Sequence, residues 1–299
     1  MTSAANRSMF CWVSSGGMDP NCSIACRLPI LKSRENALTE RTVEVSNGRL
    51  KIRVKVGGDG PPVVYFHPSA GLLWDPFLTR LAEHHTVYAP EFPGTSAGDP
   101  YAIHQVDDIW DVILAYEETL RSLDLGTPAA IGQSFGGMLT AEIAASYPAT
   151  FSKLVLLDPV GLWRDDAPVA NWIELAPDKL PSLLFRDPQA PAAQAMLALP
   201  ENPDARISAQ AAMVWALGCT GKLCWPIPDR GLKKRLHRIT APTLIIWGED
   251  DKLAPAVYAE EFRQRITGSR VELIPKSGHI PQVEQMDTTY DLVTRFLQE

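Results

Sequence analysis

Ile131-Gly132-Gln133-Ser134-Phe135-Gly136-Gly137 decides how this chain is read. The apolar run Pro128-Ala129-Ala130-Ile131 leads into it, and a small-residue helical stretch from about Phe135 to Tyr147 leads out. Ser134 therefore stands at a strand-to-helix corner, with glycine two residues to either side. So sharp a turn brings the strand and helix backbones close, where a Cβ at either flank would clash. The serine is forced into a strained conformation that projects its hydroxyl out of the turn. The helix starting behind it aims free N–H groups and the positive end of its dipole at any developing oxyanion. This is the G-x-S-x-G nucleophile elbow. The alternative use of the same residues is a tight glycine turn with Ser134 as a helix N-cap.

The elbow sits inside an alternating pattern. Thr42-Val43-Glu44-Val45 and Leu50 to Val56 alternate with period two around Asn47-Gly48, a hairpin signal. Val63-Val64-Tyr65-Phe66 and Thr86-Val87-Tyr88-Ala89-Pro90 read as strands covered on both faces. A helical stretch from about Trp74 to Glu83 separates them. Val106 to Leu123 carries Val106, Ile109, Trp110, Ile113, Leu114 and Leu120 as an apolar helical stripe. After the elbow comes the strand Lys153 to Asp158. Strands alternating with helices imply crossover units and a mostly parallel sheet with helices on both faces, an α/β fold.

The alternation stops after Asp158. From about Leu162 to His237 the chain reads as helical and proline-interrupted, and it holds Trp163, Trp172, Trp215 and Trp225. Alternation resumes with the strand Pro242 to Trp247, a helix near Pro255 to Arg265, the strand Val271 to Ile274 and a last helix near Thr288 to Leu297. The expected organisation is an α/β core of residues 41–161 plus 238–299, interrupted by a helical insertion at 162–237. Residues 1–40 have no clear period and read as a poorly ordered extension, with a small docking segment as the alternative.

Composition narrows the function classes. Of 299 residues, 45% are hydrophobic and 21% charged, which fits a globular chain. A net charge of −7 without a dense Lys/Arg cluster argues against a nucleic-acid partner. No apolar run approaches the ~20 residues that span a bilayer. Cys11, Cys22, Cys26, Cys219 and Cys224 are an odd, sparse set, which suits a reducing compartment and a cytoplasmic location rather than a disulfide framework. Cys22 and Cys26 have no matching His/Cys pair downstream, so neither zinc nor any other metal is expected. Nothing here bears on oligomeric state.

A serine hydroxyl needs a base to take its proton, and the base needs an acid to orient it. Among six histidines, His279 follows the last strand, at the carboxyl edge where open α/β sheets place their sites. Gly278 before it lets the loop fold inward. His84 and His85 lie in a helix-to-strand connection at the opposite edge, and His67 is expected to hydrogen-bond within its own loop. For the acid, Glu249, Asp250 and Asp251 all follow the strand that ends near Trp247. Asp251 has the spacing to turn back over the sheet edge, with Asp250 behind it, and Asp158, also at a strand end, is the rival. The chain order Ser134, Asp251, His279 follows. The oxyanion donors expected are the backbone N–H groups of Phe135 and of Ser69, with Ala70 behind it, since Pro68 has none to give.

Together His67-Pro68-Ser69-Ala70-Gly71, Pro93-Gly94, the elbow, Trp247-Gly248-Glu249-Asp250-Asp251 and Gly278-His279 with Pro281 and Glu284 make the chain from about residue 42 resemble a capped protein of the α/β-hydrolase fold. The resemblance implies Ser134 as nucleophile, His279 as base, Asp251 as acid, no cofactor, and a lid formed by the insertion. Two residues depart from the usual pattern. Pro68 stands where glycine is common in the oxyanion loop, and Glu91 where aspartate is common. Serine at 134 also separates the chain from dehalogenases and epoxide hydrolases, which use aspartate there. The expected activity is hydrolysis of a small-to-medium apolar ester through an acyl-enzyme on Ser134. The alternatives are C–C bond hydrolysis of ring-cleavage products or cofactor-free perhydrolysis on the same residues, and a non-catalytic receptor or scaffold.

Overall fold

A computed structural model describes residues 38–176 and 178–299. An eight-stranded sheet runs in the order β1-β2-β4-β3-β5-β6-β7-β8. Its strands are β1 (Thr39–Val45), β2 (Leu50–Gly57), β3 (Pro62–Phe66), β4 (Thr86–Pro90), β5 (Ala129–Gln133), β6 (Leu154–Leu157), β7 (Thr243–Gly248) and β8 (Arg270–Ile274). The β1–β2 hairpin and the β2–β4 pair are antiparallel, and every other pairing is parallel. This is the mostly parallel, doubly wound sheet expected. Thr39 and Glu40, assigned to the extension by sequence, already pair with Val56 and Lys55. The remainder of that extension, through residue 37 and with Cys11, Cys22 and Cys26, lies outside the described residues.

Alternate side chains of each central strand feed opposite faces. Val64, Phe66, Leu154, Leu156, Ile245 and Trp247 join one core, under α2 (Ile109–Leu123), α3 (Phe135–Ser146) and α7 (Val257–Arg265). Val63, Tyr65, Val155, Leu157, Leu244 and Ile246 join the other, against α1 (Pro76–Leu81) and α9 (Met286–Gln298). That two-period split explains why these strands read as unbroken apolar runs. The α2 stripe differs from expectation. Its buried face is Ile109, Val112, Ile113, Tyr116, Leu120 and Leu123, whereas Trp110 and Leu114 are exposed. Trp110 instead sits under the Arg235 guanidinium, 5.6 Å from its ring centre.

The chain leaves β3 for β4 on one side and returns to β5 on the other, so the strand order reverses between β3 and β5. The carboxyl ends of those strands open the crevice in which such sheets place ligands. Between β6 and β7 lie α4 (Leu180–Leu184), α5 (Pro191–Leu197) and the long α6 (Pro203–Cys224), with no strand among the described residues of that stretch. A short α8 (Pro281–Glu284) precedes α9. No described helix is long and apolar enough to cross a membrane.

Candidate active site

Ser134 is the residue between β5 and α3, with φ 55° and ψ −115°. A non-glycine residue at positive φ is costly, on the order of 1–3 kcal/mol, and persists only when its surroundings leave no alternative. Here they do not. The Ser134 N–H donates to Leu157 O at 2.8 Å, and its carbonyl accepts from Met138 N–H and Val160 N–H. The flanking glycines are required sterically. A Cβ on Gly132 would lie 2.2 Å from Thr140 Oγ1, and one on Gly136 would lie 2.0 Å from Phe66 O.

Three of the five residues singled out by sequence meet in one hydrogen-bonded run. Ser134 Oγ lies 2.7 Å from His279 Nε2, and His279 Nδ1 lies 2.7 Å from Asp251 Oδ2. All three are buried. Only the tautomer with hydrogen on Nδ1 satisfies a carboxylate on one side and leaves Nε2 free to accept the Ser134 proton on the other. The Asp251 Oδ1 accepts from the N–H groups of Leu253 and Ala254, which fixes the carboxylate. Asp250, the fallback acid, turns outward to Arg186 at 2.8 Å. Asp158, the rival, is fully buried at the end of β6, and its Oδ1 accepts from Gly248 N–H. Donor atoms of Asp158, Asp251 and His279 all lie within 4.8 Å of one another, a spacing that could hold a metal ion. Both ring nitrogens of His279 are already engaged, however, so a cation there would compete with the Ser134 contact.

The two expected oxyanion donors border the same space. Phe135 opens α3, so its N–H has no helical acceptor. Ser69 and Ala70 follow β3 and line the chamber above Ser134. The Ser69 hydroxyl is buried with no protein partner, a second free donor at this position beside its N–H. His67 does stay in its loop. Phe92 N–H donates to its Nε2 at 2.9 Å, so the ring hydrogen is on Nδ1, which donates to Pro68 O at 2.7 Å. Burial holds its pKa below the usual histidine range. Glu91 faces Lys55 at 3.3 Å and Arg53 at 3.5 Å, so the longer acid serves an ion pair away from Ser134.

Several supporting contacts carry no signal in the sequence, although Gln133 and Glu284 stand in its motifs. Gln133 Nε2 donates to His279 O, Leu184 O accepts from His279 N–H, and Glu284 accepts from Gly278 N–H and Arg186 N–H. These bonds pin the histidine loop from the elbow, from α4 and from α8. A chamber of about 60 Å³ lies over Ser134, lined by Trp172, Leu180, Leu184, Met196, Leu217 and Leu253 among others. Of the four tryptophans between β6 and β7, Trp172 lines it, whereas Trp215 and Trp225 are exposed. A wider cavity of about 720 Å³ adjoins, lined by Leu73, Trp74, Val283 and again Met196. Met196 thus forms a shared wall.

The chain has relatives. Residues 63–292 match the alpha/beta hydrolase family, and the chain belongs to it. A poly(3-hydroxyalkanoate) depolymerase of Ectopseudomonas oleovorans is 26% identical, the match covering 87% of this chain and 92% of that protein. A 2-hydroxy-6-oxo-2,4-heptadienoate hydrolase of Pseudomonas putida is 27% identical over 80% of this chain and 90% of its own. A bacterial membrane phospholipase A of known structure shares the fold at a TM-score of 0.70, with 23% identity, 87% of this chain and 86% of that chain covered.

Proposed function

We propose that this protein is a serine hydrolase acting on apolar esters, with Ser134 as nucleophile, His279 as general base and Asp251 as the acid that orients it. The observation that carries the reading is the pair of 2.7 Å contacts joining Ser134, His279 and Asp251. Ser134 Oγ attacks the carbonyl carbon while its proton passes to His279 Nε2. Asp251 stabilises the imidazolium that results. The oxyanion forms beside the N–H groups of Phe135 and Ser69, each such donor worth roughly 3–4 kcal/mol in the transition state. His279 then protonates the leaving alkoxide, and an acyl-enzyme remains. Water enters, gives a proton to His279 and its oxygen to the acyl carbon; the bond from that carbon to Ser134 Oγ then breaks, Oγ takes the proton back from His279, and the acid leaves.

In this reading, residues 162–237 form a cap, and Trp172, Leu180, Leu184 and Met196 supply an apolar roof. The second reading, C–C bond hydrolysis of a dienoate, draws on the Pseudomonas putida relative. Such a substrate carries a carboxylate, and a buried carboxylate needs a cation or several donors. Among the described residues no Lys or Arg lines the chamber at Ser134. That favours an uncharged acyl group. A panel of p-nitrophenyl esters run beside a 2-hydroxy-6-oxo-dienoate separates the two: ester turnover exceeding dienoate turnover supports the first reading, and the reverse order replaces it with the second.

Two predictions follow from the same chemistry. Because every proton in the scheme moves between Ser134, His279, the leaving alcohol and water, treatment with EDTA leaves ester turnover unchanged; inhibition restored by a divalent cation would contradict the scheme. Because Met196 divides the small chamber from the wide cavity, Met196→Ala opens a path for longer acyl chains. The ratio of kcat/KM for p-nitrophenyl octanoate over acetate should rise about tenfold, the scale at which hydrophobic pockets discriminate methylenes. An unchanged ratio would show that the acyl chain does not pass this residue.

A further inference from the structure

Asp158 is a buried carboxyl group that the reaction scheme leaves unused. It ends β6 at φ 43°, with no exposed surface, beside the acid that faces His279. The hydrogen bonding around the two aspartates can be counted. Asp251 Oδ1 takes two backbone N–H groups and Asp251 Oδ2 takes His279 Nδ1. Asp158 Oδ1 takes Gly248 N–H. Asp158 Oδ2 is buried and has no donor to accept from. A buried oxygen without a partner is uncommon and costly, and two apposed carboxylates cannot both hold charge in so dry a place.

We propose that Asp158 is a positioning residue: its neutral carboxylic acid donates an O–H···O hydrogen bond from Oδ2 to the Asp251 carboxylate and steadies that carboxylate against the His279 ring. One proton then satisfies the orphaned oxygen and removes the charge repulsion together. The titration environment agrees. Burial, and next the Asp251 charge, push the Asp158 carboxyl well above the usual carboxylate range, with the Glu284 charge adding to the rise and the Gly248 N–H opposing it. Asp251, Glu284 and His279 are the titratable groups that face it. Asp158 is therefore distinct from the ionised acid for which its position at a strand end made it a candidate.

The inference rests on the assignment of Ser134, His279 and Asp251 to the reaction, and one set of variants tests the two separately. Asparagine at 158 carries an N–H at the place of the proposed O–H and has no charge to gain. Asp158→Asn should keep kcat/KM on p-nitrophenyl butyrate within about threefold of wild type. Asp158→Ala, which loses the donor, should lower kcat about tenfold with little change in KM and move the acid limb of the kcat/KM profile upward. Melting temperature supplies a readout independent of turnover. A carboxyl whose folded pKa is raised contributes stability that is complete below its unfolded pKa of about 3.9 and is lost as pH rises toward the folded value. Asparagine lacks that loss. The Tm of Asp158→Asn should thus exceed that of wild type by a margin that widens between pH 5 and 8, reaching at least about 3 °C. A loss of a hundredfold or more in Asp158→Asn, or a Tm margin that is flat or shrinks with pH, would overturn the inference and make Asp158 an ionised group. If wild type shows no ester turnover while the Tm margin still widens, the reaction assignment fails and the neutral Asp158 stands. Should Asp158→Ala not fold, the asparagine and wild-type pair decides alone.

Discussion

Ser134→Ala should reduce turnover of p-nitrophenyl esters by about 10⁴-fold or more while leaving the fold and the melting temperature essentially intact. The size follows from the scheme. Removing the Oγ removes the acyl-enzyme route, and what remains is water attack assisted by the oxyanion donors. His279→Ala should cost a similar factor, because among the described residues no other histidine bonds to the serine hydroxyl: His67 is committed to Phe92 and Pro68, and His85 lies before β4, at the other end of the sheet. The double variant should be no worse than either single one, since the pair acts as a unit. Asp251→Asn should cost less than loss of Ser134, because it disturbs the tautomer and the charge without removing a reacting atom. If Asp158→Asn proved more damaging than Asp251→Asn, the acid would be Asp158. The check is kcat and KM for each purified variant, with Tm reported beside them; a Ser134→Ala enzyme within tenfold of wild type would refute the nucleophile.

Gly136→Ala should be among the most damaging single substitutions for stability. Its added Cβ would stand 2.0 Å from Phe66 O, 2.4 Å from Phe66 C and 2.7 Å from His67 O. All three are backbone atoms at the end of a central strand, so no side chain can swing away. Relief requires α3 to lift from β3, and α3 is buried along nearly its whole length. A cost of about 4 kcal/mol or more follows, the range reached when a core must be forced apart. For a chain of this size that lowers Tm by roughly 10 °C. Gly218→Ala is the matched control. It lies in α6, and beyond its chain neighbours and the local helix backbone nothing comes within 4 Å of the added Cβ. Alanine in a helix interior is favoured over glycine by about 1 kcal/mol, so this variant should melt slightly higher than wild type. Thermal melts of the two variants test the claim. Equal Tm values would mean that the elbow tolerates a side chain and that its glycines answer to something other than close packing.

These two residues also mark where the chain could be read without coordinates. The elbow was legible because its cause is local: two glycines, a serine, a strand before and a helix after all lie within one short stretch. The meeting of His279 and Asp251 was legible because both follow strand ends at the carboxyl edge of the parallel sheet, and strand ends show in the sequence. Distinguishing Asp251 from Asp250 needed more, since one residue of chain direction decides whether a carboxylate turns to His279 or out to Arg186. Trp110 and Leu114 belong to the apolar stripe of α2 yet are exposed, because a helical period reports which residues share a face, not how wide the buried face is. The chamber was not legible at all. Which of Trp163, Trp172, Trp215 and Trp225 reaches Ser134 depends on how α4, α5 and α6 cross the sheet edge, and no local pattern encodes that path. The state of Asp158 was hidden for the same reason: its neutrality depends on a neighbour about ninety residues away in sequence, across β7.

The most direct measurement is covalent labelling. Wild-type protein is incubated with a fluorophosphonate, digested, and the modified peptide located by mass spectrometry, with Ser134→Ala and His279→Ala treated alongside. The account predicts a single phosphonylated residue, Ser134, no labelling of Ser134→Ala, and labelling of His279→Ala slowed by orders of magnitude. Unlabelled wild type, or equal labelling of Ser134→Ala, would contradict it.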